Sequence, residues 1–308
     1  MSERKAMQRM IIDCDPGHDD AIALILAHRH ADVVGITTVA GNAPLEATAA
    51  NALAVTAVLG VDTPVVAGAD TSLLGVARDA RVVHGESGLG GVALPGHDRA
   101  LAEGHAVDFL LEASDRDTWI VAIGPLTNVA LAIARDPTWP KRIAGISIMG
   151  GSTDNGNVTA TAEFSIYADP EAAARVFRSD TRLIMCGLNL THQLSVDDAV
   201  LGRVRQIDTP AGKLATESFT FLLDRLDSLT GTRRASLHDP CAVLAVTHPE
   251  LLDTESCAVT VELAGELTRG MTVVDRRSRS GIEPNVEVGV GLASEAAMAL
   301  VEDALAGK

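Results

Sequence analysis

Short apolar runs alternate with stretches of helical spacing along most of the chain. Arg9 to Cys14 is a β-branched run that ends among acidic residues, Pro16-Gly17 breaks it, and Ile22, Ile25 and Leu26 then repeat at helical spacing. This order of signals predicts strand, tight loop, helix. The unit recurs in a buried strand over Val33 to Ala40, a helix over alanine-rich Leu45 to Leu59 and a short strand over Thr63 to Ala67. Trp119 to Ile123 before Pro125 to Ala134, and Ile143 to Met149 before Pro170 to Phe177, continue the alternation, and Leu183 to Met185 adds a strand. Such a pattern predicts an α/β fold built on an open, mostly parallel, doubly wound sheet. From Thr191 to Thr232 the chain is more polar and reads as a small helical region. Ala258 to Leu263, Met271 to Asp275 and Val286 to Val290 read as late strands before a C-terminal helix, either a small lobe or an extension of the sheet. Glycine-rich stretches at Gly85 to Gly96 and Gly150 to Gly156 fit substrate-covering loops and plain surface connections equally well.

Composition narrows the function. Hydrophobic residues at 47% and charged ones at 21% suffice for a large core, and 308 residues fit around one continuous sheet, so residues 1–308 read as one domain. A formal net charge of -16 argues against a nucleic-acid polymer as partner, because phosphate binding needs clustered Lys and Arg. Cys14, Cys186, Cys241 and Cys257 are too scattered for a zinc finger or a disulfide scaffold and read as reduced thiols. Neither an apolar leader in Met1 to Met10 nor a membrane-spanning stretch is evident, which places the expected site of action in the cytoplasm.

The segment Asp13-Cys14-Asp15-Pro16-Gly17-His18-Asp19-Asp20 puts four carboxylates within eight residues, at the end of one strand and the first turn of a helix. Open α/β sheets bind ligands at that edge. Like charges this dense repel unless a cation sits among them, and oxygen donors suit calcium or magnesium. The plainer alternative has Asp19 and Asp20 favouring the helix N-terminus and Asp13 capping a turn. An EF-hand is a poor fit, because the alternating spacing, the distal Glu and the flanking helices are missing.

This segment resembles the N-terminal signature of the inosine–uridine nucleoside hydrolase family. Further matches are Gly41-Asn42, His84-Gly85-Glu86, Gly124-Pro125-Leu126-Thr127-Asn128, Met149-Gly150-Gly151, Gly156-Asn157, Ala162-Glu163-Phe164, Asp169-Pro170-Glu171-Ala172 and His238-Asp239-Pro240. The resemblance implies calcium-dependent hydrolysis of the N-glycosidic bond of ribonucleosides. Asp15, Asp20, Asp239 and the carbonyl of Ile123 would hold the ion, with Asp15 also the general base. It implies that Asp19, Asn42, Asn157 and Glu163 hold the ribose, that His238 protonates the departing base, and that His84 contacts the base. His18 simply belongs to the signature loop. Ser165 stands where the family pattern usually has Asn, which implies a weaker or water-mediated sugar contact.

Purine-specific relatives stack the base between tryptophans, whereas Trp119 and Trp139 lie at a strand start and a helix end. His84 with His238 resembles the pyrimidine-preferring branch, so uridine and cytidine are the expected substrates. Ser218 to Thr232, where aromatic base contacts are usual, offers Phe219 and Phe221 but no tyrosine. The resemblance also implies a homodimer or homotetramer. The alternatives are a hydrolase of purine or modified nucleosides, a nucleoside- or sugar-binding protein without turnover, and a haloacid-dehalogenase-like phosphatase using Asp13 and Asp15. The last needs a phosphate grip that is not evident around Lys141.

Overall fold

A computed structural model describes residues 7–94, 96–277 and 281–308; the sequence reading of the first six residues falls outside it. Among the described residues the eleven strands are β1 Gln8–Cys14, β2 Ala31–Thr38, β3 Val65–Ala67, β4 Thr118–Ala122, β5 Gly145–Met149, β6 Leu183–Cys186, β7 Ser195–Val196, β8 Ala235–Ser236, β9 Leu252–Val261, β10 Thr272–Asp275 and β11 Val286–Leu292. Nine of them form one sheet in the order β10-β9-β11-β6-β5-β4-β1-β2-β3. All neighbours from β3 to β11 are parallel, and the edge pairs β11–β9 and β9–β10 are antiparallel. This is the doubly wound sheet expected from the alternation.

The late strands extend the same sheet. β9 begins at Leu252, well before the apolar run at Ala258, because its exposed first half Asp253, Thr254, Glu255 and Ser256 is held by pairing with β11 and carries no hydrophobic signal. The polar region after Thr191 is helical at Asp198–Val204 and Pro210–Thr230. Just ahead of those helices, β7 pairs antiparallel with β8 in a separate two-stranded sheet.

Both faces of the large sheet are covered, which is why β1 reads as an unbroken apolar run. Met10, Ile12 and Cys14 pack with the helices His18–His30, Pro210–Thr230, Pro240–Thr247 and Ser294–Leu305, while Ile11 faces Ala106–Ala113, Thr127–Arg135 and Pro170–Phe177. Burying Leu24 and Leu26 fully contributes about 2–3 kcal/mol each. Trp139 is fully buried with its indole N–H donating to Ser114 Oγ at 2.8 Å, and Trp119 lies in the core, so both tryptophans are structural.

Asp169 ties several of these elements together. It caps the helix Pro170–Phe177, accepting from the N–H of Ala172 at 3.0 Å, and its other oxygen accepts from the N–H of Leu73 and the hydroxyl of Thr127, both at 2.7 Å. The side chain is fully buried, so an alanine leaves three donors unpaired. Asp169→Ala is expected to destabilise the fold by about 3 kcal/mol or more, read as a lower urea midpoint; an unchanged midpoint would refute this role.

Candidate active site

The strand order reverses between β1 and β4: the chain runs outward from β1 through β2 to β3, then returns to β4 on the other side. Ligands bind outside the carboxyl ends of the strands at such a point. Asp13 closes β1, Asp15 follows it, and Ile123 follows β4, its N–H donating to Asp13 O at 2.8 Å. A cavity of about 600 Å³ opens there. Asp15, Asp19, Asn42, His84, Ile123, Asn157, Glu163, Ser165, His238 and Asp239 all line it; Asp20 is fully buried and joined to the site through Asn42.

Asp20 serves the fold as well as the site. One carboxylate oxygen accepts from the N–H of Asp15 at 3.2 Å; the other accepts from Gly17 N–H at 2.9 Å and from the Asn42 amide at 3.0 Å. The helix-capping reading therefore holds for this residue, and the bond to Asn42 links the same carboxylate to the cavity. Asp15 Oδ2 accepts from the N–H of Asn42 at 2.6 Å. A side-chain carbon at Gly41 or Gly124 would run into the Asp15 carboxylate, which accounts for the glycine in each of those two motifs.

Carboxylate oxygens of Asp19, Asp20 and Asp239 lie within 4.8 Å of one another. This triangle includes Asp19 and leaves Asp15 beside it, a different grouping from the one the resemblance implies. Burial, then the Asp20 charge, pushes the Asp15 carboxyl well above its usual range; burial, then Asp19 and Asp20, does the same to Asp239. Asp20 is pushed up to about 7, chiefly by burial and the charge of Asp19. No lysine or arginine lines the cavity among the described residues. Uncompensated buried carboxylates with oxygen-only donors are the environment a hard divalent cation neutralises, so the residues fit a metal.

Behind the cluster, Asp13 accepts from Thr37 Oγ1 at 2.6 Å and from the Asn128 amide at 2.8 Å, and burial pushes it up to about 6. Asn128 also donates to Thr38 O at 3.0 Å and accepts from Ala69 N–H at 2.9 Å. The Gly124 to Asn128 motif thus braces the site from below.

Several of these residues also carry fold contacts that their motifs do not show. Glu163 caps the short helix Phe164–Ala168: its oxygens accept from the N–H groups of Gly151, Ser165 and Ile166 at 2.9, 2.9 and 3.1 Å, and the Ser165 hydroxyl adds a further bond. Asn157 accepts from Phe164 N–H at 2.9 Å. His18 is no bystander. Its ring stacks on Phe221 at 4.9 Å, and its nitrogens reach His84 Nδ1 at 3.3 Å and Gly90 O at 2.9 Å. His238 is pushed down to about 4, above all by burial, so its imidazole is neutral at neutral pH rather than half-charged.

Residues 10–299 match the family model described as inosine-uridine preferring nucleoside hydrolase. The chain belongs to that family. It is a ribonucleoside hydrolase, an N-glycosidase. This hydrolase is 41% identical over 304 residues to the pyrimidine-specific ribonucleoside hydrolase RihA of Shewanella sp. (strain ANA-3), covering 96% of each chain. Its fold matches the plant nucleoside hydrolase PpNRh1 with a TM-score of 0.91 at 34% identity, over 98% of this chain and 99% of that one. It also matches a purine-preferring ribonucleoside hydrolase from Gardnerella vaginalis with a TM-score of 0.91 at 30% identity, over 97% and 98%. Relatives of differing base preference thus share the fold.

Most of the remaining wall of the hydrolase's cavity is aliphatic. Val82, Val83, Leu222, Leu226 and Leu229 line it beside the polar Asp79, Thr230 and Ser236, and among the described residues Phe164 with the two imidazoles of His84 and His238 are its only rings. Neither phenylalanine of the Ser218 to Thr232 region lines it: Phe219 is core, and Phe221 packs on His18 and the glycines of the loop after His84. Helical spacing turns Phe221 away, since positions 222, 226 and 229 share one face and 221 does not, whereas Phe219 lies one turn before Leu222 on that face, where it is buried in the core.

Proposed function

We propose that this hydrolase cleaves pyrimidine ribonucleosides with calcium held by Asp15, Asp20, Asp239 and the Ile123 carbonyl. The observation that carries the reading is the convergence, in one cavity, of buried carboxylates without a balancing cation, sugar-sized polar groups and an aliphatic wall. A calcium ion there supplies a Lewis acid toward the ribose hydroxyls and the attacking water. Asp15 takes the water's proton, being held beside the site by the Asn42 N–H. Asp19 accepts from the 2′-hydroxyl, and Asn42, Asn157 and Glu163 orient the sugar, Glu163 with whatever acceptor capacity its three backbone bonds leave. The Ser165 hydroxyl, turned to Glu163, stiffens that carboxylate. His238 and His84 face the base, and a neutral His238 donates its N–H to the leaving group as charge develops there.

The pyrimidine preference is supported by the RihA likeness and by a wall that, among the described residues, has no tryptophan or tyrosine to stack a purine. Release of ribose from uridine, cytidine, inosine, adenosine, guanosine and 2′-deoxyuridine tests it. Uridine and cytidine should lead, and 2′-deoxyuridine should fall at least about 10³-fold below uridine in kcat/KM, because a buried carboxylate loses its donor. Faster cleavage of inosine would give the purine reading instead.

A further inference from the structure

Thr191 ends the short helix Leu188–Thr191 that follows β6, and nothing in the motifs marks it. Its side chain is fully buried, and its hydroxyl lies 2.8 Å from His238 Nδ1. Its own N–H is committed to Gly187 O at 3.0 Å, so the hydroxyl is the group free to serve the imidazole. The two-stranded sheet sets the spacing: Ser195 pairs with Ser236 and Val196 with Ala235, and Leu237 N–H donates to Leu194 O at 2.8 Å. His238 therefore leaves β8 two residues on, its backbone tied to the segment that carries Thr191. On the other flank, the His192 ring meets the His238 ring edge-on at 5.7 Å.

We infer that Thr191 is a positioning residue for His238, holding the Nδ1 edge so that Nε2 is the atom presented to the departing base. The inference rests on the leaving-group role proposed for His238. Which imidazole nitrogen faces a substrate is set by the bond the other one makes, and a buried hydroxyl with a single partner fixes that choice.

The test compares uridine with 4-nitrophenyl β-D-ribofuranoside, whose nitrophenolate departs without protonation. Thr191→Val, which keeps the shape, should lower kcat on uridine about 10- to 100-fold with KM little changed, and leave the nitrophenyl riboside untouched. Thr191→Ser should restore uridine turnover. Thr191→Val should add no further loss in a His238→Ala background, since the two then act as one unit. Should valine not be tolerated by the fold, Thr191→Ala gives the same comparison. Equal losses on both substrates, or additive losses with His238→Ala, would overturn the inference. A uridine-selective loss in His238→Ala with none in Thr191→Val overturns this inference alone, whereas no selective loss in His238→Ala overturns the assigned role of His238 as well.

Discussion

Asp15→Asn is expected to lower kcat on uridine by about 10⁴-fold while the protein stays folded. Asparagine matches aspartate in shape, so it fits between Gly41 and Gly124, and its carbonyl oxygen keeps the bond from Asn42 N–H. What it loses is the charge, and with it the capacity to take a proton from water and to hold a cation. Because burial and the neighbouring Asp20 already disfavour that charge, the metal-free variant should melt no lower than the parent. Steady-state kinetics beside a thermal melt decide the matter. A variant keeping more than about a tenth of the activity would remove Asp15 from the mechanism.

Stripping divalent metal with a chelator should cut turnover by about 10³-fold or more and lower the melting temperature, with calcium restoring both. The size of the stability change should depend on pH in a definite direction. Asp13 is held up to about 6 and Asp20 to about 7, each chiefly by burial, against about 4 in an unfolded chain. In the metal-free protein these groups bind protons more tightly when folded. Their contribution to stability is complete below about pH 4 and is lost as pH rises through about 6 and 7. A bound cation favours the ionised carboxylates and offsets that loss, and protons compete with it at low pH. The gap in melting temperature between calcium-loaded and chelated protein should therefore widen from pH 5 to pH 7.5. At calcium a hundredfold above its Kd the gain is about 2.7 kcal/mol, several degrees for a chain of this size. A gap that is absent, or that narrows as pH rises, would contradict a metal at this cluster.

Much of this is legible in the chain itself. Short apolar runs and stretches of helical spacing marked β1, β2, the helix Leu45–Leu59 and the helix Pro170–Phe177 close to their observed bounds, because each signal is local: a strand buried on both faces, a proline at a helix start. Four carboxylates at the end of β1 were legible for the same reason. The helix Pro240–Thr247 was not, since it is apolar all round and buried on every side, and a short run of that kind has no period to read. The polar half of β9 was hidden because only pairing with β11 makes it a strand.

Local sequence thus determined the alternation of strands and helices along most of the chain, the acidic loop and, through motif likeness, the family. Tertiary packing alone decided that Asp19 closes the carboxylate triangle with Asp20 and Asp239 while Asp15 lies beside it, that Phe221 braces His18 while leucines line the cavity, and that Thr191 meets His238. Those are meetings between side chains dozens to hundreds of residues apart, or choices between faces of one helix, and no short-range propensity encodes either; they follow only once the sheet has closed and the helices have been laid against it.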